Sequence, residues 1–424
     1  MSEQPVTIEE HKPLPEDCNP TKWNDSYNKN PLLRWSTFGS KEKPPKIHWQ
    51  TYYRIGAQWL DVDCKRALVV RSKYKSIDFI AMFLRCLNSR RAIKDFSEIY
   101  SIDFDQPAIQ TNAFENVLTP LILIHFLKVV ERIAKRGLKR GYVHREENLK
   151  KVKGRIRILA NERKNVIPHR FDRVYCQFNE FTVDIPENRL IKRALLFVQR
   201  ELTHFQKLKY YSQLLHLENK CLSAFTQVSP EIELRDVKLV KTHKLFREYD
   251  IAVELAKTIL RRNDYSIKKA AGKKKSTPVF WLDMARLFEM YVYSILRKQY
   301  GKSILYQFEG TDGETPDFLF RNGDESCILD TKYINLDNVN RLYELVRQLA
   351  GYARDVKVLN KLGLSTEIDK TVVPCLFLYP IMENPSDDDG KLLARDNWIE
   401  IAGWTKFYKI RVKVPQSPQN EAGE

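Results

Sequence analysis

The stretch from residue 315 to 334, TPDFLFRNGDESCILDTKYI, constrains the fold more than any other part of the chain. Its Asn322-Gly323 pair is typical of a two-residue turn between antiparallel strands, because both central positions of that turn need positive φ. With these two residues as the loop, Asp317 is expected to lie opposite Ile328. The sequence therefore predicts a β-hairpin whose register follows from the turn.

The hairpin predicts that three polar side chains share one face. Residues two apart on a strand point to the same side, so Asp330 and Lys332 join Asp317, which is diagonal to Asp330 at about 7–8 Å. Two converging carboxylates suit a hard, oxygen-preferring cation such as Mg²⁺, which acidifies water and stabilises charge on a phosphoryl oxygen. Lys332 would orient the attacking water or neutralise developing charge. The alternative is a surface hairpin with solvated Asp and Lys side chains.

The segments that flank the hairpin favour the catalytic interpretation. Residues 281–300 predict an amphipathic helix with Glu289 at the border of its apolar face. Residues 337–356 predict a second helix, on which Gln348 and Tyr352 are four apart and share a face. A buried strand within TVVPCLFLYP and an alternating strand, FYKIRVKV, follow. The predicted order is helix, strand, hairpin strands, helix, strand.

This order of motifs resembles the PD-(D/E)xK superfamily, and within it the McrC family, the nuclease subunits of McrBC-type modification-dependent restriction systems. Two further segments resemble that family: KVKGRIRI at 151–158, a basic Gly-Arg strand, and EFTVDIPENRLIKRAL at 180–195, with its T-x-D-x-P-x-N-R pattern. The resemblance covers roughly residues 140–410. It implies a mixed α/β protein with a C-terminal αβββαβ core preceded by a mixed α/β N-terminal domain.

The resemblance also implies an activity and a partner. The expected function is Mg²⁺-dependent cleavage of double-stranded DNA, including DNA with modified bases, with Mn²⁺ as a substitute metal. An AAA+ GTPase subunit would recognise the DNA and bring it to the nuclease. The implied catalytic set is Asp317, Asp330 and Lys332, with Glu289, Gln348 and Tyr352 in supporting positions and Asp317, Asp330 and Glu289 as metal ligands.

Two other functions stay open at this stage. One is a self-sufficient PD-(D/E)xK nuclease for DNA repair or mobile elements, and the other is a DNA-binding adaptor with an idle nuclease fold. The presence of Asp317, Asp330 and Lys332 together argues against the idle form. Cleavage by the purified protein, with and without an NTPase partner, would distinguish these functions.

Composition and pattern divide the chain into four segments. Residues 1–48, rich in Pro, Asn and Lys, predict a flexible arm, and 49–145 predict an α/β domain. Residues 146–275 predict a basic middle region with helices, and 276–424 the nuclease domain. The 49–145 segment has no catalytic constellation, so we expect it to bind the partner. Its aromatic residues Tyr52, Tyr53 and Trp59 suit either an interface or a small core.

The charge of the chain favours a polyanionic partner. There are 71 Lys+Arg against 54 Asp+Glu, a formal net charge of +17, which suits nucleic acid. Two basic stretches suit phosphate contacts, which fix position without reading sequence, although a solvated face explains any single lysine equally well. The first comprises Lys150, Lys151, Lys153, Arg155 and Arg157, and the second Lys268, Lys269, Lys273, Lys274 and Lys275.

Several other classes of protein are disfavoured. The seven cysteines include no CxxC pair, and together with the polar N-terminus they suit a reducing cytoplasm. The longest strongly apolar stretch is too short to span a bilayer. Gly301-Lys302-Ser303 lacks the upstream glycine of a P-loop, because position 296 is Leu296. The histidines form no zinc-binding pattern, and no GxSxG motif occurs.

Overall fold

A computed structural model of the chain describes residues 4–18, 25–36, 48–61, 64–86, 99–103, 106–111, 118–206, 210–233, 237, 246–269, 277–311, 313–337, 342–364, 372–386 and 389–417. The chain forms two compact units. The discontinuous unit comprises Met1–Leu118 and Lys274–Glu424, and the middle unit comprises Thr119–Lys273. Helices accompany both mixed and antiparallel sheets, so the predicted mixed α/β class is confirmed.

The first part of the discontinuous unit consists of short strands and two helices. The strands alternate apolar and polar residues as half-buried strands do, and β5 is almost wholly buried. The two helices are α1 (Asp25–Lys29) and α2 (Phe79–Cys86). The strands are β1 (Val6–Glu9), β2 (Leu33–Ser36), β3 (His48–Thr51), β4 (Arg54–Trp59), β5 (Ala67–Arg71) and β6 (Tyr100–Asp103).

The described part of the predicted N-terminal arm is folded, which corrects the prediction of a flexible segment. Strand β1 pairs in parallel with β5, and β2 pairs antiparallel with β3. Leu14, Leu32 and Leu33 are buried against Trp49. The Pro- and Lys-rich composition suggested disorder, but a few well-spaced leucines are enough to bury this segment on the sheet. Residues 19–24 and 37–47 of the arm lie outside the described residues.

The middle unit contains a small antiparallel sheet and a set of helices. The sheet has the order β7-β9-β8. Helix α5 packs against both α6 and α7 through a buried apolar face. The elements are α3 (Leu118–Arg136), β7 (Gly141–Leu149), β8 (Arg155–Ile156), α4 (Ile158–Asn161), β9 (Val174–Thr182), α5 (Pro186–Leu202), α6 (Tyr211–Ala224) and α7 (Arg247–Lys269).

The two motifs that carried the family resemblance in this unit have structural roles. In KVKGRIRI, Gly154 has φ +71°, and a Cβ there would lie 2.5 Å from the carbonyl oxygen of Gln177, so only glycine fits. In the T-x-D-x-P-x-N-R motif, Asp184 accepts from Arg189 Nε at 2.9 Å and from the backbone N of Ser229 at 2.8 Å. These bonds fix the junction between β9 and α5.

Asn188 completes the same junction from inside the unit. Its side chain is fully buried and donates to the carbonyl oxygens of Lys139 at 2.9 Å and Val183 at 2.7 Å. Its own oxygen accepts from the Tyr249 hydroxyl at 2.8 Å. One amide therefore satisfies groups from three segments of the chain, as a buried polar side chain must.

The basic segment that follows the Gly-Arg strand is interrupted by helical turns. Helix α4 continues into a wider turn over Glu162–Val166. Asn161 accepts from the backbone N of Tyr175 at 2.8 Å, and Asn165 donates to Asn148 Oδ1 at 2.8 Å. These side-chain bonds to the backbone and to a neighbouring strand stabilise the turns against the extended alternative.

The second part of the discontinuous unit begins with a strand that belongs to the first sheet. Strand β10 (Val279–Asp283) pairs antiparallel with both β4 and β6, which gives the five-stranded order β1-β5-β4-β10-β6. The compact units divide at Leu118 and near Lys274, whereas the predicted boundaries of the middle region were 145 and 275. Hydrophobic periodicity revealed the strands but not which of them pair across the chain.

A six-stranded sheet follows, with the order β11-β12-β13-β14-β16-β15. Strands β11, β12 and β13 pair antiparallel, whereas β13–β14 and β14–β16 pair parallel. The helix, three strands, helices and strand follow one another in the predicted order. The elements are α8 (Met284–Tyr300), β11 (Ile304–Tyr306), β12 (Phe318–Phe320), β13 (Cys327–Thr331), α9 (Tyr343–Tyr352), α10 (Val356–Leu362), β14 (Cys375–Ile381), β15 (Ile399–Glu400) and β16 (Phe407–Lys413).

Apolar burial holds this sheet together. Strand β14 is a nearly continuous buried run, as expected for a strand with neighbours on both sides and covered faces. Helices α9 and α10 pack through Val346, Leu349 and Leu359 against Ile328 and Phe377 of the sheet. All seven cysteines are free thiols. None of the described helices combines the length and apolarity that crossing a membrane requires.

Substitution of Gly56, which lies on β4 against β10, tests the pairing of these two strands. Gly56 has φ +150°, and a Cβ there would lie 2.2 Å from the carbonyl oxygen of Phe280. We expect Gly56→Ala to lower the free energy of unfolding by about 1–3 kcal/mol, because strain and a backbone clash must be accommodated. Gly351→Ala is the control, since Gly351 is helical and has open space around it. Chemical denaturation of both variants measures the difference, and equal stability would contradict the proposed clash.

Asn188 provides a second test. We expect Asn188→Ala to destabilise the middle unit by about 1–3 kcal/mol, because it leaves buried carbonyl and hydroxyl groups without partners. Asn179→Ala is the matched control, since Asn179 is exposed and contacts His144 at the surface. Hydrogen exchange of the α5 amides, read by mass spectrometry, reports the local effect. Unchanged protection in Asn188→Ala would show that the junction does not depend on this amide.

Candidate active site

The hairpin formed by β12 and β13 sets the geometry of the site. Phe318 pairs with Leu329 and Phe320 with Cys327. Continuing this register places Asp317 directly opposite Asp330, whereas the predicted register placed it opposite Ile328. The predicted diagonal was therefore wrong by two residues. An even shift keeps every side chain on its own face, so the predicted sharing of one face holds.

The register differs from the predicted one because the loop between β12 and β13 is longer than two residues. Ser326 Oγ accepts from the backbone N of Asn322 at 3.0 Å and donates to the carbonyl oxygen of Gly323 at 2.7 Å. Gly323 has the positive φ (57°) that the turn prediction required. The serine hydroxyl thus stabilises a loop that is wider than the two residues inferred from the Asn-Gly pair alone.

Asp317 is partly buried and Asp330 is buried, and the two side chains differ in their partners. Asp317 Oδ2 accepts from the backbone N of Thr331 at 2.7 Å and from the Thr331 hydroxyl at 2.5 Å. Asp330, only 4% exposed, lies 2.6 Å from the ammonium of Lys332. Burial raises the pKa of both carboxyls, and the charge of Asp317 raises the pKa of Asp330 further while Lys332 opposes the rise.

Helix α8 brings Glu289 to these carboxylates. Asp283 caps the helix by accepting from the backbone N of Arg286 at 3.0 Å, and it also accepts from Arg54 Nε at 3.1 Å. Glu289, 8% exposed, accepts from Arg286 Nη1 with both oxygens at 2.7 Å. Burial raises the pKa of Glu289 and the nearby Asp317 adds to the rise, while Arg286 opposes it. The three carboxylates are therefore within electrostatic range of one another.

Gln307 closes the site from the neighbouring strand. It follows β11, and its backbone N donates to the carbonyl oxygen of Asp317 at 2.9 Å. Its side chain donates to Glu289 Oε1 at 3.2 Å. Its φ is +47°, a conformation that is uncommon for a residue other than glycine and that concentrates at functional sites.

Lys332 remains a cation in this environment. Burial acts to lower the pKa of Lys332, but Asp330 and Asp317 outweigh it, so the pKa is raised above its usual value. The side chain is 20% exposed, which leaves its ammonium reachable. Its backbone N donates to the carbonyl oxygen of Leu378, so the residue is anchored beyond the end of β13.

The supporting positions on α9 lie at the margin of this group. Gln348 donates to the Tyr352 hydroxyl at 3.4 Å, and that hydroxyl donates to Glu314 Oε2 at 3.4 Å. Tyr352 interacts electrostatically with Asp330. Gln348 itself is exposed. The structure thus brings Glu289, Asp317, Asp330 and Lys332 together, with Tyr352 beside them and Gln348 one contact further away.

The oxygen donors have the chemistry that Mg²⁺ prefers, but each carboxylate is turned to a protein partner. Asp317 accepts from Thr331, Asp330 pairs with Lys332, and Glu289 pairs with Arg286. Within the described residues, no group of three or more His, Cys, Asp or Glu side chains is arranged to hold a metal ion. The donor set fits such an ion only if these side chains reorient.

Sequence reasoning missed three residues of the site. Arg286 is three positions before Glu289 on the same helix, a spacing that predicts contact. Thr331 lies inside the Asp-Thr-Lys motif. Its hydroxyl is a hydrogen-bond donor, and that was the signal by which it could have been found. Gln307 carried no such signal, because its position depends on the pairing of β11 with β12.

Comparisons with known proteins place these motifs in context. A family model described as McrBC 5-methylcytosine restriction system component matches residues 98–353, more than half of the 424 residues. No curated protein matches the chain.

Two solved structures resemble the chain weakly. One is a refined half-complex of Thermococcus gammatolerans McrB AAA+ hexamers with bound McrC, at 16% identity and a TM-score of 0.39, over 97% of this chain and 94% of the other. The second is a cryo-EM structure of the Thermococcus gammatolerans McrBC complex, at 17% identity and a TM-score of 0.32, over 70% and 89%. The extent of the family match decides the assignment: the chain belongs to the family of McrBC 5-methylcytosine restriction system components.

Proposed function

We propose that this protein is the metal-dependent DNA endonuclease subunit of its restriction system, an McrC-type protein with a PD-(D/E)xK active site. The observation that carries the proposal is the register of the β12–β13 hairpin, which puts Asp317 opposite Asp330 with Lys332 at the end of the same strand. Membership of the restriction family supports DNA as the substrate, and 5-methylcytosine in the family description supports a modified target.

Asp317, Asp330 and Glu289 would hold the metal. Asp317 raises the pKa of both Glu289 and Asp330, so a cation among the three would relieve a repulsion that Arg286 and Lys332 now offset. Bound Mg²⁺ would acidify water and neutralise charge on the phosphate. Glu289 would have to leave Arg286 for this role, and Mn²⁺ would be an acceptable substitute.

Lys332 would act on the scissile phosphate. Its raised pKa keeps the ammonium protonated at neutral pH, so it can donate hydrogen bonds to a phosphate oxygen or hold the attacking water at Nζ. Tyr352 and Gln348 would orient groups at the edge of the site rather than enter it. The formal charge of +17 supports DNA binding through phosphate contacts. The lysine cluster of the second basic stretch lies outside the described side chains.

The partner would be an AAA+ GTPase; the Thermococcus gammatolerans complex joins McrC to McrB AAA+ hexamers. The aromatic residues of segment 49–145 give little support to the expectation that it docks the partner. Tyr52, Tyr53 and Trp59 are half-buried, and Trp59 donates to the carbonyl oxygen of Pro107 at 2.8 Å. Described residues from 49 to 111 include no large hydrophobic side chain that is exposed.

The middle unit offers a better docking surface. Exposed large hydrophobic side chains concentrate between residues 142 and 181, and lysines and arginines alternate with them. Exposed apolar side chains in such number favour an interaction site, so we assign the AAA+ contact to this segment. This apolar surface comprises Tyr142, Val152, Ile156, Ile158, Leu159, Val166, Ile167, Phe171 and Phe181.

The catalytic assignment predicts the outcome of single substitutions. Asp317→Ala, Asp330→Ala and Lys332→Ala are each expected to reduce DNA cleavage by at least about 100-fold while DNA binding is retained, because each removes a group that stabilises the transition state. EDTA should abolish cleavage by the wild type and Mg²⁺ should restore it. Asp324→Ala, an exposed position in the same hairpin loop, is the control.

The assay uses the purified full chain with the cognate NTPase subunit, GTP and methylated plasmid DNA. Near wild-type cleavage by any one of the three variants would remove that residue from the site. Cleavage by all three, with EDTA sensitivity retained, would place the active site elsewhere in the chain.

The docking surface predicts a second outcome. Ile158→Glu combined with Leu159→Glu is expected to abolish co-purification with the AAA+ subunit, because two charges replace side chains that are 76% and 75% exposed. Val372→Glu, which alters an exposed apolar side chain outside this surface, is the control. Cleavage of DNA without the partner should be the same in both variants. Association of the double variant at wild-type strength would contradict the assignment.

A further inference from the structure

The end of strand β13 is held by a lysine from the N-terminal part of the same unit. Lys73, in the loop between β5 and α2, donates from Nζ to the carbonyl oxygen of Tyr333. Tyr333 follows Lys332 directly and is 3% exposed. The backbone that carries Lys332 is therefore held on one side by β14, through Leu378, and on the other side by the ammonium of Lys73.

Three tyrosine rings surround the same ammonium. Lys73 Nζ lies 4.3 Å from the ring centroid of Tyr333 and 5.4 Å from those of Tyr53 and Tyr74. Ring faces attract a cation at such distances. We call Tyr53, Tyr74 and Tyr333 the tyrosine cage. A cation caged by three aromatic faces has a defined position, unlike a lysine at a solvated surface.

A buried carboxyl group lies near the ammonium of Lys73. Glu10 follows β1 and is only 1% exposed, and it interacts electrostatically with Lys73. Burial raises the pKa of Glu10 to about 8, and the nearby Lys73 opposes that rise.

The cage also reaches the catalytic lysine. Tyr53 faces Lys73 with its ring and interacts electrostatically with Lys332. Its carbonyl oxygen accepts from the backbone N of Met284, the first residue of the helix that carries Glu289. Tyr333 in turn packs against Phe288 of that helix, with ring centroids 6.0 Å apart.

We propose that Lys73 is a positioning residue for Lys332, held by the tyrosine cage and bonded to the carbonyl oxygen of Tyr333, so that the N-terminal sheet fixes the catalytic end of β13. Lys73 does not contact DNA in this role, and it acts through the backbone of Tyr333. The proposal gives the N-terminal sheet a part in catalysis, which its lack of catalytic motifs did not suggest. It rests on the proposed nuclease function only for its effect on cleavage.

The first readout is independent of cleavage. Trace labelling of lysine amines with acetic anhydride, read residue by residue by mass spectrometry, reports how reactive each amine is in the folded chain without DNA or metal. Lys73→Met keeps the aliphatic length and removes the ammonium. We expect the labelling rate of Lys332 to rise severalfold relative to other lysines in the same digest. Lys75→Met, an exposed lysine in the same loop, should leave it unchanged.

The second readout compares the effect on kcat of DNA cleavage with the effect on the Kd for DNA. Lys73→Met is expected to lower kcat by about 10- to 100-fold, as small misplacements of a catalytic group do, with the Kd for DNA unchanged. Lys73→Arg keeps a cation in the cage and should recover most of both readouts. Lys73→Gln, which keeps a donor without the charge, replaces the Met variant if the latter does not fold, with the same expected direction.

An unchanged labelling rate of Lys332 in Lys73→Met or Lys73→Gln would overturn the proposal, whatever the activity. A rise shared by all lysines would also overturn it, because it would indicate general loosening. A changed Kd for DNA with unchanged kcat would make Lys73 a substrate contact and would contradict the positioning role. If the wild type cleaves no DNA, the nuclease proposal fails, and the labelling of Lys332 still decides the role of Lys73.

Discussion

Repulsion among three closely placed carboxyl groups is the constraint on which the candidate site depends. Asp317, Asp330 and Glu289 lie within electrostatic range, and each has its own donor: Thr331 and Lys332 at the end of β13, and Arg286 on α8. Removing a charge from water costs several kcal/mol per ion unless such partners are supplied. The site is therefore stable only because the helix, the hairpin and the neighbouring strand meet here.

The hairpin shows what sequence can and cannot predict about such a site. Alternation along the strands gave the shared face of Asp317 and Asp330, which needs only the period of two. The turn signal gave the position of the loop but not its width, since the Ser326 hydroxyl stabilises a longer one. The predicted register was wrong by two residues, and an even shift leaves Asp317 and Asp330 on one face. Gln307 could not be predicted, because it depends on pairing between strands.

The N-terminal half was harder to predict for a related reason. Composition marked residues 1–48 as a flexible arm, yet Leu14 and Leu32 are buried and β1 pairs with β5. Periodicity detects amphipathic elements but not which distant strand they join. The motifs that resemble the family are of two kinds. Gly154 and the Asp184–Arg189 pair maintain the architecture of the middle unit, whereas the Asp-Thr-Lys motif lies in the proposed active site.

The position of β10 has a consequence for how this protein is made. In the first sheet, β10 lies between β4 and β6, although more than 170 residues separate it from either strand along the chain. Until the ribosome has released residues 279–283, β4 and β6 each keep an open hydrogen-bonding edge, which invites wrong pairing. The middle unit, with its local contacts, is synthesised completely in that interval and can fold first. During synthesis the chain therefore passes through a stage in which its first sheet is incomplete because β10 has not yet been made.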